Sequence, residues 1–347
     1  MRAETAARLG EAGVLAAREG HFSRLSALFA GDSWDRALVL CGIGGSSKAD
    51  PYAEPERWVE EALDSLAEQA EKAKDNRVFR PLVVEPNPYG VHFIDRIFGA
   101  RVYHYEGQWW SDPLPTPIGE LRPPDLQAND TWRLARRQAE AFVASGVTAP
   151  LFGLPTVASA LNIALNLYGE RFLMALLDGP EAACHDLKVI ADLLCELHRW
   201  YLARIPGEQL QCVVAAGRTQ PRGFGQLCGC STHLLSAGQY RDLVAPLDDQ
   251  LLRVYPNGGM IHLCGVHTQH IPVWREMRSL RAIQVNDRAA EDLETYFREL
   301  RDGQILYLNP TPTMTVERAM RITGGRRLVL VADLPEAPRL TQAQRTS

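Results

Sequence analysis

A histidine and a cysteine stand two residues apart in the stretch GGMIHLCG, residues 258–265. The apolar character of this stretch predicts a buried strand. Residues i and i+2 share one face of a strand, so His262 and Cys264 should point the same way, into a pocket. An imidazole and a thiolate suit Zn²⁺, and a catalytic zinc needs a third protein ligand and an open position. The same pair also fits an inert core thiol beside a hydrogen-bonded histidine.

The composition of the chain excludes several classes of partner. The 347 residues are 46% hydrophobic and 23% charged, which predicts a folded globular protein. A net charge of −5 lacks the basic footprint of proteins that bind nucleic acid. The apolar runs are too short for a membrane span and the N-terminus lacks a signal-peptide pattern, so we expect a cytoplasmic protein with no membrane partner. The odd number of cysteines, seven, favours reduced thiols over disulfides.

Short apolar runs alternate with longer helical segments along most of the chain. This pattern predicts an α/β protein and, with eight runs, a closed (β/α)8 TIM barrel. The predicted strands are residues 37–42, 80–86, 149–155, 211–217, 259–265, 281–287, 304–310 and 327–333. Helical spacing of apolar residues predicts an N-terminal helical extension over residues 1–30. We expect a single domain, 1–347, with the proline- and aromatic-rich segment 101–129 inserted as a loop or hairpin between strands two and three.

Helices fill the stretches between the predicted strands. They begin near Glu54, Asp130, Glu181, Ser236, Arg288 and Thr315. Asp130 and Ser236 are predicted N-caps, because their side-chain oxygens can accept hydrogen bonds from the free N–H groups of a first helical turn.

Polar side chains follow most of the predicted strands, and in a barrel the carboxyl ends of the strands form the active-site face. Glu85, Arg218 and Asp287 are candidates for an acid, a base or a clamp on a substrate carboxylate, although each could equally be a salt-bridge partner at the rim. The predicted substrate-binding residues are Asn286, Asn309 and Arg222.

Further histidines and cysteines lie near these strand ends. His267 and His270 have the spacing of a metal- or carboxylate-binding pair, although histidines at a helix start are more often surface residues. Cys228 and Cys230, in CGC, lack the CxxC spacing of a redox or zinc motif. A loop could still carry either thiol to the mouth of the barrel.

Several longer segments resemble the uroporphyrinogen decarboxylase superfamily in matching order. They are SWDRALVL, YAEPERWVEEAL, FIDRIFGARV, GLPTVASALNIALNLYGERFLMALLDGPEAACHDL, LLSAGQYRDLVAPLDDQLL, GGMIHLCG and NPTPTMTVERAM. The resemblance implies a TIM barrel that is either a decarboxylase or a zinc-dependent methyltransferase linked to a corrinoid. In the methyltransferase branch an H-x-C-G pattern supplies two zinc ligands, which correspond to His262 and Cys264.

The third zinc ligand of that branch is a cysteine in a segment shaped like G-C-E-L-P. The matching residues 331–335 read VADLP, with alanine at the cysteine position. Asp333 adjoins that position and is the first candidate for a replacement, although it would need a bulge or a loop to face the same way. Cys228 or Cys230 is the second candidate, and absence of metal is the third possibility.

The decarboxylase branch matches this chain less well. Its R-Q-A-G-R type segment and its F-S-D-I motif have no counterpart here. The leading hypothesis is therefore a zinc methyltransferase that moves a methyl group between a corrinoid and a small thiol. We expect a small-molecule substrate, a corrinoid protein partner and a homodimer. The alternatives are a metal-free decarboxylase, in which Asp287 or Glu85 stabilises a cationic intermediate and Arg218 grips a carboxylate, and a non-catalytic binding barrel.

Overall fold

The computed structural model describes residues 3–32, 36–155, 158–212, 215–335 and 337–339. The twelve strands of this part of the chain are β1 Leu38–Leu40, β2 Ile43–Gly44, β3 Leu82–Val84, β4 Val102–Tyr105, β5 Gln108–Ser111, β6 Leu151–Gly153, β7 Leu210–Gln211, β8 Gly225–Cys228, β9 Gly259–Leu263, β10 Leu280–Val285, β11 Ile305–Leu308 and β12 Leu328–Val331. All the pairings between them are parallel except β4 with β5, an antiparallel hairpin within the segment 101–129.

Helices connect most of the parallel strands. They are α1 Ala3–Leu9, α2 Ala12–Ala30, α3 Pro55–Glu68, α4 Phe93–Ile97, α5 Asp130–Ala144, α6 Ala160–Tyr168, α7 Glu170–Asp178, α8 Pro180–Arg204, α9 Ala215–Arg218, α10 Ala237–Gln239, α11 Ala245–Leu252, α12 Ile271–Glu276, α13 Asp287–Ala290, α14 Leu293–Glu299 and α15 Val316–Thr323. A π-helical turn, Tyr240–Val244, joins α10 to α11, and a 3-10 turn, Cys230–Leu234, follows β8. Within the described ranges, no helix combines the length and apolarity of a bilayer span.

The parallel strands form two sheets. One has the order β1-β12-β11-β10-β9-β8 and the other β2-β3-β6-β7. They meet along the segment that contains β1 and β2, where the Cys41 N–H donates to the Phe79 carbonyl at 2.9 Å. A parallel bridge between Ala158 and Cys228 links the chain after β6 to β8. The α/β class is thus confirmed, while closure into one continuous eight-stranded barrel stays a prediction.

Alternating side chains give both sheets an inner and an outer face. The inner apolar cluster combines strand residues from both sheets with four residues of α2: Leu40, Val83, Leu151, Met260, Ala282, Ile305, Tyr307 and Val329 with Phe22, Leu25, Leu28 and Phe29. The residues between them, such as Ile261 and Ile283, pack in the larger cluster that includes the surrounding helices. Because Met260 faces inward, His262 two residues later also lies on the inner face. α2 therefore covers the inner apolar residues at the end away from His262.

The predicted strand 211–217 was wrong over residues 215–217, which are helical, while its residues 213 and 214 lie outside the described part of the chain. The strand β7 ends at Gln211, α9 begins at Ala215, and β8 at Gly225–Cys228 was not predicted. The sequence GQLC is a weak strand signal, because it is short, begins with glycine and contains no β-branched residue. The predicted N-cap Ser236 is confirmed by a capping box with Gln239. The N-cap of α5 is Asn129 rather than Asp130, because the Asn129 side chain accepts from the Trp132 N–H at 3.0 Å.

The segment after β7 lies against the inner face of both sheets. The Ala216 N–H donates to Glu85 Oε1 at 2.9 Å, and Tyr307 Oη donates to the Thr219 carbonyl at 3.0 Å. The backbone of Gly42 touches this segment so closely that a Cβ at position 42 would lie 1.9 Å from the Ala216 carbonyl oxygen. Glycine at position 42 is therefore needed for α9 to pack inside the sheets.

We expect Gly42→Ala to destabilise the protein by about 1–3 kcal/mol, because a methyl group would be forced into backbone that cannot move aside cheaply. Urea unfolding measures this change. Gly44→Ala is the matched control, since a Cβ there first meets Glu85 Oε2 at 3.9 Å, an ordinary contact. We expect that variant to lie within about 0.5 kcal/mol of the parent. Equal stability of the two variants would contradict the close packing of Ala216 in α9 against Gly42.

Candidate functional site: a cluster of thiols and histidine

The carboxyl ends of β8 and β9 bring three thiols and one imidazole together. These strands are parallel neighbours, and their register places Cys228 opposite His262. The register continues beyond the strands, because the Gly229 N–H donates to the His262 carbonyl at 3.0 Å. Cys230 then begins the 3-10 turn on one side, and Cys264 follows β9 on the other. Strand pairing therefore assembles four side chains from two distant parts of the sequence.

The sulfur and nitrogen atoms of this cluster are in direct contact. Cys230 Sγ lies 3.2 Å from Cys264 Sγ and 3.4 Å from Cys228 Sγ. His262 Nε2 lies 3.0 Å from Cys264 Sγ. The donor atoms of Cys228, Cys230 and His262 all lie within 4.8 Å of one another. Cys230 is thus the central sulfur of the cluster.

Hydrogen bonds from two neighbouring strands orient the His262 ring. Its Nδ1 bonds to Gln284 Oε1 at 2.9 Å, and Gln284 Nε2 donates to Asn309 Oδ1 at 2.6 Å. An amide oxygen can only accept, so Nδ1 carries the proton and Nε2 presents its lone pair to the sulfurs. A histidine that binds metal is commonly oriented in this way by a hydrogen bond from its other nitrogen. Asn309, predicted to bind substrate, lies in this relay.

The thiols of the cluster differ in acidity. Hydrogen bonding to Cys230 lowers the pKa of Cys264 to about 5 and the pKa of Cys228 to about 6. The same two neighbours raise the pKa of Cys230, because its thiol proton is shared with them and a second negative charge would be repelled. The cluster thus favours thiolate on its outer sulfurs, and the thiolate is the form of cysteine that binds metal and reacts as a nucleophile.

Arg218, at the end of α9, adds a partly buried cation beside the thiols. Its charged neighbours are the three cysteines of the cluster and Glu85, and burial lowers the pKa of its guanidinium group. Arg218 Nε has no hydrogen-bond partner among the described residues. A buried N–H without an acceptor is costly, so the Nε of this cation favours an accepting, negatively charged group nearby.

Asp287 lies at the exposed edge of the cluster. Its backbone has a φ of 46°, in the left-handed region that non-glycine residues rarely adopt. Its carboxylate accepts from Asn286 Nδ2 at 3.1 Å, and its negative charge acts to raise the pKa of Cys264. Unfavourable backbone conformations of this kind are often found at functional sites.

Two predicted site residues lie elsewhere. Asp333, predicted to be a zinc ligand, pairs with Arg80 at 3.0 Å and its side chain is 78% exposed. Its strand β12 is separated from β9 by β11 and β10, whereas β8, which carries Cys228, is the direct neighbour of β9. The predicted substrate-binding Arg222 pairs with Glu19 of α2, at the end that α2 covers.

Two histidines next to the cluster are buried rather than exposed. The Thr232 hydroxyl donates to the Gly229 carbonyl and bonds to His267 Nδ1 at 3.1 Å, while His270 Nε2 bonds to the Thr232 carbonyl at 2.8 Å. These contacts support the turn that carries Cys230. Sequence reasoning did not single out Gln284, although its position, two residues after inward-facing Ala282, was a usable signal.

Comparisons with known proteins show a shared fold. No protein-family model matches the chain, and a search of curated proteins finds no match. A solved structure of a methyltransferase from Methanosarcina mazei superposes with a TM-score of 0.62 at 10% sequence identity. The match covers 92% of this chain and 95% of that one. At this identity the similarity establishes the fold alone.

Proposed function

We propose that this protein is a zinc-dependent methyltransferase of the uroporphyrinogen decarboxylase superfamily. It moves a methyl group between a corrinoid and a small thiol. The observation that carries the proposal is the convergence of three cysteine sulfurs and one oriented histidine nitrogen at the carboxyl ends of β8 and β9. The M. mazei methyltransferase, which shares the fold, supports the reaction class. The proposal includes closure of the two sheets into a TIM barrel.

The donor set fits zinc. We assign Cys230, His262 and Cys264 as the protein ligands, because these three donors are in direct contact. Cys228, whose sulfur also lies within 4.8 Å of the donor atoms of Cys230 and His262, is an additional sulfur beside them. Two thiolates and one imidazole form a ligand set used by catalytic zinc sites, which keep the fourth position for substrate. Cys230 thereby takes the role that the sequence had suggested for Asp333. Gln284 and Asn309 are positioning residues, since they act through the His262 ring.

Zinc bound at these residues would lower the pKa of a substrate thiol, so that the nucleophilic thiolate exists at neutral pH. The side chains of the protein bind and orient the acceptor. Arg218 attracts an anionic group on the acceptor, and Asn286 and Asp287 contact it at the exposed edge of the site. The methyl donor reaches the site from the solvent side, carried by a corrinoid protein.

The alternative is a metal-free decarboxylase. The Arg218 Nε, which has no hydrogen-bond partner among the described residues, favours this reading, because it could hold a substrate carboxylate beside Glu85. The two functions differ in their requirement for the thiols, which the decarboxylase does not need. Asp287→Asn would abolish the activity of the decarboxylase while the protein remained metal-free.

Methylcobalamin and thioglycolate serve as probes of methyl transfer, followed by the visible absorbance of the cobalamin. We expect the zinc-loaded protein to demethylate methylcobalamin, and Cys230→Ala to lose this activity together with bound zinc. Asp333→Asn is the matched control and should keep both. Full zinc binding by Cys230→Ala with loss in Asp333→Asn would restore Asp333 as the ligand. A protein that fails to bind added zinc and is inactive toward methylcobalamin would refute the methyltransferase.

Arg218→Gln tests the charge of the acceptor. We expect the variant to raise the KM for thioglycolate by about tenfold or more, because a hydrogen bond to a charged group contributes roughly 1.5–3 kcal/mol. The KM for the neutral thiol 2-mercaptoethanol should change little, and kcat should be retained for both. An equal rise in KM for the two thiols would show that Arg218 has only a structural role.

A further inference from the structure

The central thiol of the cluster touches a second thiol on the neighbouring strand. Cys230 and Cys264 have their sulfurs 3.2 Å apart, and both residues are partly exposed. Both residues lie just beyond the paired strands, where the Gly229 N–H still donates to the His262 carbonyl at 3.0 Å. A disulfide bond would shorten the sulfur–sulfur distance from 3.2 Å to about 2.0 Å, which small side-chain movements can supply.

We propose that Cys230 and Cys264 form a reversible disulfide under peroxide, and that this disulfide and a bound zinc ion exclude each other. The disulfide itself follows from the thiol geometry, whereas the exclusion of zinc rests on the proposed function. In the reaction, the two thiols give up two protons and two electrons. The S–S bond forms, the O–O bond of one peroxide molecule breaks, and two water molecules are released.

Two features favour Cys264 over Cys228 as the partner of Cys230. Cys230 and Cys264 belong to segments that are already hydrogen-bonded to each other through Gly229 and His262. Cys228 belongs to β8, and a bond to Cys230 would close a small ring through Gly229 and pull Cys228 out of its pairing with β9. Cys228 therefore remains a thiol when the pair is oxidised.

Formation of this disulfide would remove two metal-binding sulfurs from the site at once. A disulfide sulfur is no longer a thiolate, and the thiolate is the form that ligates metal. Oxidation would leave His262 and Cys228 only, so zinc would not be held. Zinc bound at Cys230 and Cys264 would in turn shield both sulfurs from peroxide. The cluster thus acts as a redox-sensitive control on its own metal content.

Peptide mapping of the full-length protein tests the pairing. The metal-free protein is treated with hydrogen peroxide, remaining thiols are blocked with N-ethylmaleimide, and trypsin is added without reductant. Trypsin releases Cys228 and Cys230 together in residues 223–241 and Cys264 in residues 254–275. We expect these two peptides to be joined, with the mass of their sum less two hydrogen atoms plus one N-ethylmaleimide on the remaining thiol, Cys228. Dithiothreitol should separate them.

Variants assign the sulfurs. The link between the peptides should be lost in Cys230→Ser and should persist in Cys228→Ser. It should also persist in Cys184→Ser, which is the control because Cys184 is a remote, partly exposed thiol. An oxidised peptide 223–241 with no link to 254–275, or loss of the link in Cys228→Ser, would overturn the proposed pairing.

Zinc provides the second readout. Zinc added before peroxide should suppress the link, and the oxidised protein should take up zinc only after reduction. Equal zinc uptake by the oxidised and reduced forms would overturn the mutual exclusion. A link that forms in a protein unable to bind zinc when reduced would uphold the disulfide and refute the zinc site of the proposed function.

Discussion

The candidate site depends on the parallel register between β8 and β9. This register sets Cys228 opposite His262, and just beyond the paired strands the sulfurs of Cys230 and Cys264 lie 3.2 Å apart. A shift by one residue would turn one set of side chains toward the outer helices, because the side-chain period of a strand is two. The inner apolar cluster, which includes Met260, opposes such a shift by burying the alternate residues. The packing of the inner face thus keeps the sulfurs and the imidazole in contact.

A second constraint is the segment that enters the inner side of the sheets after β7. Gly42 allows the backbone at Ala216 to approach, and Glu85 accepts the Ala216 N–H. These contacts place Arg218 beside the thiols, where its charge is buried. The energetic cost of that burial is offset when thiolates or an anionic substrate are present. The same segment therefore fills part of the inner space and supplies the cation of the site.

The sequence predicted the local features of this protein better than the pairing between distant segments. The alternation at His262 and Cys264 was readable because it depends on a two-residue period, and the α/β class followed from repeated strand and helix patterns. Cys230 was considered as a zinc ligand but ranked below Asp333. The short strand β8 has only a weak strand signal in the sequence, and no local pattern shows that β8 pairs with β9. Asp333 was predicted to be a zinc ligand because it adjoins Ala332, which stands where the family motif has a cysteine. The ion pair between Asp333 and Arg80 is visible only in three dimensions.

The central claim is that sulfur from β8 and nitrogen and sulfur from β9 hold one zinc ion. X-ray absorption at the zinc edge, on the full-length protein loaded with one equivalent of zinc, tests this claim most directly. The account predicts a shell that contains sulfur at about 2.3 Å and nitrogen at about 2.0 Å, and no zinc retained by Cys230→Ala. Failure to retain zinc, or a shell of oxygen and nitrogen without sulfur, would contradict it.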